Sequence, residues 1–444
     1  MGGSVSRPVS AELRRIQLGN ALAAFGNGFT MPFLFVYAAQ VRKLGDGAAG
    51  AVMAVFAAAA LLVLPFTGRA IDRRGPLPVA FFGSALAVVG ATGFGVSSTA
   101  ALVLGSSALM GAGVAVLQPT LATMIVWCST TGTRSRAFAT QFFLNNLGLG
   151  IGGLLGGLMV DVHRPGSFTV LFAVEAAMFV VLGLVLASVR LPAVERDGGD
   201  GASVPQELGR GRGFADGWRT LLRDRSMVLL CVLGFVLFFA CYGQFESGLS
   251  AYAVEVTRIS TSTLGVALAA NTAVIVLAQY VVLRWVERRR RSRVVALVGA
   301  IWAVAWLAAG ASGLVRDAPV VATAFLISTY ALFGLGETML SPTVAPLVAD
   351  LAPSGFVGQY NSAFALVKQL ALSVGPSVGG LLAATGTYAA YIVMLVVCSV
   401  SISGLAVWLG RRLAPGQDRA YGSVVVARQD VARESAEAEV HSFV

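Results

Sequence analysis

Residues 68–75 read "GRAIDRRG" and sit between two uninterrupted apolar stretches. Three arginines and an aspartate held between glycines form either a solvated turn of a soluble protein or a hinge at a membrane surface. Composition separates the two. Of 444 residues, 56% are hydrophobic and 12% charged, and mean hydropathy is +0.78. A soluble domain carries about 25% charged residues. A hydrocarbon core about 30 Å thick takes about 20 apolar residues in a helix. Twelve such spans follow one another: 17–39, 48–66, 77–97, 100–125, 138–160, 168–189, 227–252, 263–283, 294–313, 319–344, 362–384 and 388–409. Backbone groups in lipid must be satisfied within the segment, and these are too long for barrel strands. The expected fold class is therefore all-α, with twelve transmembrane helices.

Charge gives the orientation. The net charge is +10, yet lysine occurs only at Lys43 and Lys368, so the positive charge is arginine gathered in short loops. That distribution argues against nucleic acid as a partner. The segments on the side of the two termini hold 26 Lys and Arg; the opposite loops hold five, namely Arg42, Lys43, Arg164, Arg258 and Arg316. This asymmetry predicts cytoplasmic termini for a multi-pass protein. The Ala-, Gly-, Val- and Arg-rich composition points to a bacterial cytoplasmic membrane. No removable signal peptide is read at the start. Cys128, Cys231, Cys241 and Cys398 are scattered without metal-ligand spacing, so a reduced structural role is expected for each.

The expected organisation is a cytoplasmic N-terminus (1–16), a six-helix bundle (17–189), a cytoplasmic linker (190–226), a second six-helix bundle (227–410) and a tail (411–444). The linker begins Gly- and charge-rich, as a flexible connection does. Its "FADGWRTLLRD" stretch has the spacing of a helix lying on the inner surface. The tail is polar and expected to be disordered. A shift of 223 residues aligns 111–158 with 334–381 without a gap, with 13 identities in 48 positions. "GAGVAVLQPT" falls over "GLGETMLSPT", and "NLGLGIGGLLGGL" over "QLALSVGPSVGGL". Helices 4–5 matching helices 10–11 is what duplicated halves predict.

On these residues the chain resembles the major facilitator superfamily. "GRAIDRRG" matches its loop signature G-x-x-x-D-R-x-G through Gly68, Asp72, Arg73 and Gly75, with Pro76 in place of the usual next basic residue. "WVERRRRSR" at the corresponding place in the second half keeps acid and base, Glu287 and Arg288, without the glycines. The resemblance implies two pseudo-symmetric six-helix bundles and is strongest to the twelve-helix drug:proton antiporter branch. It also implies that the loop latches an outward-open state, as against plain positive anchoring. Asp72 can cap a neighbouring helix N-terminus, and Arg134 is its expected arginine partner. Two departures weigh against the branch. Ser107 stands where relatives often carry an arginine, and helix 5 reads Gly152-Gly153-Leu154-Leu155-Gly156-Gly157 where the antiporter signature has G-P-x-x-G-G. The proline stands in helix 11 instead, as Gly375-Pro376-Ser377-Val378-Gly379-Gly380. Both stretches fit close helix packing, or a hinge at Pro376.

Ionisable groups in hydrocarbon are functional candidates by default. Four stand out: Glu175, Glu246, Glu337 and Lys368. Glu337 and Lys368 both lie about 10 Å into the membrane at about 1.5 Å per residue; they are read either as a neutralising pair or as a coupling site. Glu246, in "CYGQFESGLSAY", is read as a proton carrier or counter-charge where helix 7 breaks or bends, or else as a hydrated acid near the outer end. Glu175 ranks below it. Asn20, Asn27, Gln118, Asn145, Asn146, Tyr242, Gln244 and Asn271 are cavity candidates or helix–helix hydrogen bonders.

Enzyme chemistry finds no support. The G-x-S-x-G and G-x-G-x-x-G matches at 375–379 and 148–153 lie inside glycine-rich spans rather than after strands. The two histidines, His163 and His441, form no metal motif, and no nucleotide-binding loop exists to supply ATP drive. The expected function is proton-driven efflux of hydrophobic or amphipathic small molecules by alternating access, without a cofactor, in a protein functional as a monomer. A proton-coupled or facilitative uptake permease and a non-transporting sensor are the alternatives.

Overall fold

The computed structural model describes residues 11–191, 214–245 and 247–419. Twelve helices among them are long and apolar enough to cross a membrane. They are α1 (Ala11–Val41), α2 (Asp46–Arg74), α3 (Pro76–Val96), α4 (Ala100–Trp127), α5 (Thr131–Met159) and α6 (Pro165–Ala187), then α7 (Arg225–Phe245). The remainder are α8 (Thr261–Val286), α9 (Arg291–Leu314), α10 (Pro319–Leu351), α11 (Val357–Ala384) and α12 (Tyr388–Gly410). No strand occurs among the described residues.

Three spans are interrupted where local chemistry requires it. In α1 the regular helix stops at Thr30, a 3₁₀ turn covers Met31–Phe33, and a π turn covers Tyr37–Val41. Pro32 removes a donor and pushes away the carbonyl four residues back. α10 breaks after Leu340 at Pro342 and resumes as Val344–Leu351. α7 breaks at Cys241, and a further helix, Gly248–Glu255, continues beyond it. Gly75, at φ +83°, turns the chain out of α2, and Pro76 starts α3 at its first position.

Each half packs as a bundle with one pattern used twice. α1 lies against α5 and α6, α2 against α4, and α3 against α4 and α6. In the second half α7 lies against α11 and α12, α8 against α10, and α9 against α10 and α12. The two bundles meet along α2–α11 and along α5–α8, which the same duplication relates. Close approach within each bundle depends on glycine at equivalent places. A Cβ on Gly152 would collide with the Phe25 carbonyl of α1, and one on Gly375 would lie 2.7 Å from Gly243 Cα in α7. Gly156 and Gly379 repeat this one turn on, whereas Gly153 and Gly157 meet only ordinary contacts and Gly380 meets nothing within 4 Å. Of the seven glycines read as packing residues, Gly152, Gly156, Gly375 and Gly379 pack closely and the other three do not. α11 runs through Pro376 as one helix.

Two expected boundaries are corrected. The last segment does not leave the fold at Arg411: Pro415–Asp418 forms a helical turn, and Asp418, 3% exposed, accepts from Ser292 N (2.8 Å) and Ser292 Oγ (3.0 Å) at the start of α9. The helix expected within the linker is present as Phe214–Arg223, and the linker ends at Asp224, two residues before the expected end, where Asp224 caps α7 at Ser226 N and Met227 N. Residues 192–213 and 420–444 lie outside the described residues.

Candidate functional site: a cavity between the bundles and the gate below it

The hydrogen bonds and ion pairs that join the two bundles among the described residues all lie at the end bearing both termini. Asp72 of α2 accepts from Gly358 N (2.7 Å) and Gln359 N (2.9 Å), the first free amides of α11. Those groups have no partner within their own helix and carry its positive dipole end, so an aspartate suits them. Gly68 makes the approach possible, since a Cβ there would lie 2.6 Å from Gln359 Cα. The duplicated seam is held differently: Arg136 of α5 pairs with Glu287 of α8 at 3.2 Å. Ser341 Oγ donates to the Phe138 carbonyl (2.9 Å), and Asn361 Nδ2 donates to Thr123 Oγ1 (3.3 Å).

Arg134 does not pair with Asp72, as expected from sequence. It pairs with Asp350 in the resumed part of α10. Asp350 also holds Arg291 at 2.6 Å, and Arg291 donates to the Gln417 carbonyl at 3.1 Å. One carboxylate thus ties the first bundle, the second bundle and the docked C-terminal turn together. Sequence reading missed Asp350, although it is the lone acid in 345–361, a stretch with no Lys or Arg.

Above this gate a cavity of about 420 Å³ lies between the bundles. The first half contributes amides from three helices: Asn20 and Asn27 of α1, Gln118 of α4, and Gln141, Asn145 and Asn146 of α5. Val114, Leu117, Phe138, Phe142 and Phe179 supply its apolar wall. The second half contributes Tyr242, Glu337 and Lys368, and the last two are the charged side chains on the wall. Five sequence-read amides therefore converge on one space, while Gln141 and the three phenylalanines were not anticipated. The 223-residue repeat pairs Val114 with Glu337 and Asn145 with Lys368, and all four line the cavity.

Glu337 is 5% exposed. Asn271 Nδ2 donates to its Oε1 at 3.0 Å and also to the Tyr330 carbonyl at 3.2 Å. The Tyr242 hydroxyl bonds the same carboxyl. Asn271 is thus a partner of the acid rather than a wall residue. Of the two readings of Glu337 and Lys368, the ion pair is not formed: among the described residues no carboxylate lies within 4 Å of Lys368, whose Nζ sits 5.3 Å from the Phe238 ring centroid. Of its two readings, Gln244 takes that of a helix–helix hydrogen bonder. It is fully buried away from the cavity and pins the α7 break to α11 by donating to Gly375 O at 3.0 Å. Glu175 is fully buried in α6 beside Thr30, outside the cavity. Glu246 lies outside the described residues. Ser107 donates to the Val52 carbonyl at 2.6 Å, a helix–helix contact in the place of the arginine. No cluster of three or more His, Cys, Asp or Glu side chains that could hold a metal occurs among the described residues.

Twelve apolar helices in two related bundles, joined by polar contacts at one end of a polar space between them, are the architecture of a membrane transporter. The sequence profile of the Major Facilitator Superfamily matches residues 16–372 and 255–429, and the chain belongs to that family. It is 25% identical over 375 residues to Multidrug resistance protein 1 of Bacillus subtilis (strain 168), covering 83% of this chain and 88% of that one. In fold it is similar to FucP in the outward conformation, with a TM-score of 0.73, 16% identity, and 90% and 98% of the two chains covered. It is likewise similar to a bacterial homologue of the iron transporter ferroportin in the outward-facing state, at a TM-score of 0.70 and 14% identity over 90% and 100% of the chains.

Proposed function

We propose that the protein is a proton-driven exporter of amphipathic small molecules, working by alternating access in a bacterial cytoplasmic membrane. The observation that carries this reading is Glu337, a carboxyl held by Tyr242 and Asn271 on the wall of a half-apolar cavity between the bundles. An acid there exchanges its proton with whichever side the cavity faces, so protonation and substrate loading use one space. Amides beside phenylalanine and leucine suit molecules with an apolar body and a few polar groups. The multidrug relative supports the same direction. The arginine-rich end is the cytoplasmic one by the positive-inside rule. The conformation described is then closed to the cytoplasm, with both termini inside. The functional unit is a monomer, each chain having its own cavity, and the energy source is the proton gradient without a cofactor.

The test is transport in everted membrane vesicles carrying the purified protein, with a lipophilic dye and an imposed proton gradient. Export predicts dye accumulation that an uncoupler abolishes and Glu337→Gln removes. Accumulation in right-side-out vesicles instead would establish uptake. Full gradient-driven transport by Glu337→Gln would remove the coupling assignment.

A further inference from the structure

The charges on the cavity wall define a substrate class. Lys368 and Glu337 face one space from adjacent parts of the second bundle, yet they do not neutralise each other. Glu337 is held by the neutral donors Tyr242 and Asn271, with the Cys241 thiol nearby. Among the described residues the contact recorded for the Lys368 ammonium is the Phe238 ring face, at 5.3 Å. An ammonium over an aromatic ring is weakly compensated compared with one on a carboxylate. A half-buried cation and a buried acid kept apart are costly to leave so, and a ligand carrying both opposite charges relieves both at once.

We propose that the cavity takes a zwitterionic amphiphile, its anionic group on Lys368, its cationic group at Glu337 and its apolar body against Phe138, Phe142 and Phe179. This rests on the export reading and completes it. When the substrate's cationic group reaches Glu337, the carboxyl gives up its proton to the cytoplasm. When the substrate leaves to the outside, a proton replaces the cation. Lys368 keeps its charge throughout and holds the anionic end, so the cavity stays neutral with substrate bound.

The experiment uses four probes on one naphthalene frame: N-(2-naphthylmethyl)-4-aminobutyrate, its carboxamide, its N-acetyl derivative and the doubly blocked form. These are zwitterion, cation, anion and neutral molecule. Thermal stabilisation of the purified full-length protein is measured against probe concentration at one pH. The zwitterion is expected to half-saturate at a concentration at least tenfold below either singly charged probe. Lys368→Gln should remove its advantage over the cation, Glu337→Gln its advantage over the anion, and Lys368→Arg should retain most of both. Each variant's melting temperature without probe checks that it is folded. A zwitterion no tighter than the better singly charged probe, or one bound as well after Lys368→Gln, overturns the proposal. Zwitterion stabilisation no greater than that of the neutral form also overturns it. The measurement involves no gradient, so its outcome is independent of the vesicle test of export.

Discussion

Substitution of Asp72 by asparagine should shift the balance between the state closed at the termini end and the state open there. The carboxylate uses both oxygens, on Gly358 N and Gln359 N. An asparagine has one acceptor oxygen, and its amide group would face the second N–H. The loss is one charge-assisted hydrogen bond with a donor left unpaired, about 1.5–3 kcal/mol. The lost charge at the α11 dipole adds about 0.3–1 kcal/mol. At 1.4 kcal/mol per tenfold, a total of about 2–4 kcal/mol raises the open fraction roughly 30- to 1,000-fold. The duplicated seam sets the comparison. Arg136 is 59% exposed, so Arg136→Ala should change the open fraction no more than about fivefold. Ser362, 1% exposed beside Gly68, is a reporter once the four native cysteines are replaced. The rate of maleimide labelling of Ser362→Cys follows the open fraction. A rise below threefold in the Asp72→Asn background, or an equal effect of Arg136→Ala, refutes the assignment of the gate's main polar hold to Asp72.

Asp350→Asn leaves Arg134 and Arg291 buried without their shared carboxylate. A loss of about 3–5 kcal/mol should appear as a large drop in melting temperature in detergent, partly restored by adding Arg134→Gln. Gly375→Val places atoms against the α7 backbone, and size-exclusion of a fluorescent fusion should show little folded protein. Gly380→Ala meets nothing within 4 Å and should leave elution and melting unchanged, within about 0.5 kcal/mol. Asp418→Ala removes the cap on Ser292; about 1 kcal/mol of local stability should be lost, read as faster trypsin cleavage at Arg411 and Arg412.

Span count and duplication were legible because lipid imposes apolar length on every membrane helix and repeated glycines mark repeated close packing. Helix ends were less so: α1 is already helical at Ala11, α5 starts at Thr131 and α11 at Val357, all earlier than the apolar runs. Polar first turns extend beyond hydrocarbon, where hydropathy carries no signal. The depth of Glu337 and Lys368 could be counted along each helix, but whether they touch depends on how α10 and α11 are rotated, which spacing within one helix does not specify. Asp72 was recognisable as a helix cap, while its pairing with Arg134 was misassigned because its partners are backbone amides, which no residue identity reveals. The convergence of Asn20, Asn27, Gln118, Asn145 and Asn146 was readable for the opposite reason: amides in hydrocarbon need partners or water, and the space between bundles is where water reaches.

The duplicated halves have divided the work at the cavity. Position 114 and position 145 are Val and Asn; their counterparts 337 and 368 are Glu and Lys. All charge on the wall therefore belongs to the second bundle, and all the side-chain amides to the first. In a rocking motion Glu337, Tyr242, Asn271 and Lys368 travel together, because α7, α8, α10 and α11 pack as one bundle. Their mutual electrostatics then change little between the two states. What changes is access and the array of amides opposite. On the proposed reading, coupling arises because one carboxyl cannot hold a proton and a substrate cation at once, and the motion needs only to choose which side supplies the next occupant. On the same reading, asparagines of the first half can adapt to substrates of different shape without disturbing that competition, which is the arrangement a carrier of chemically varied amphiphiles requires.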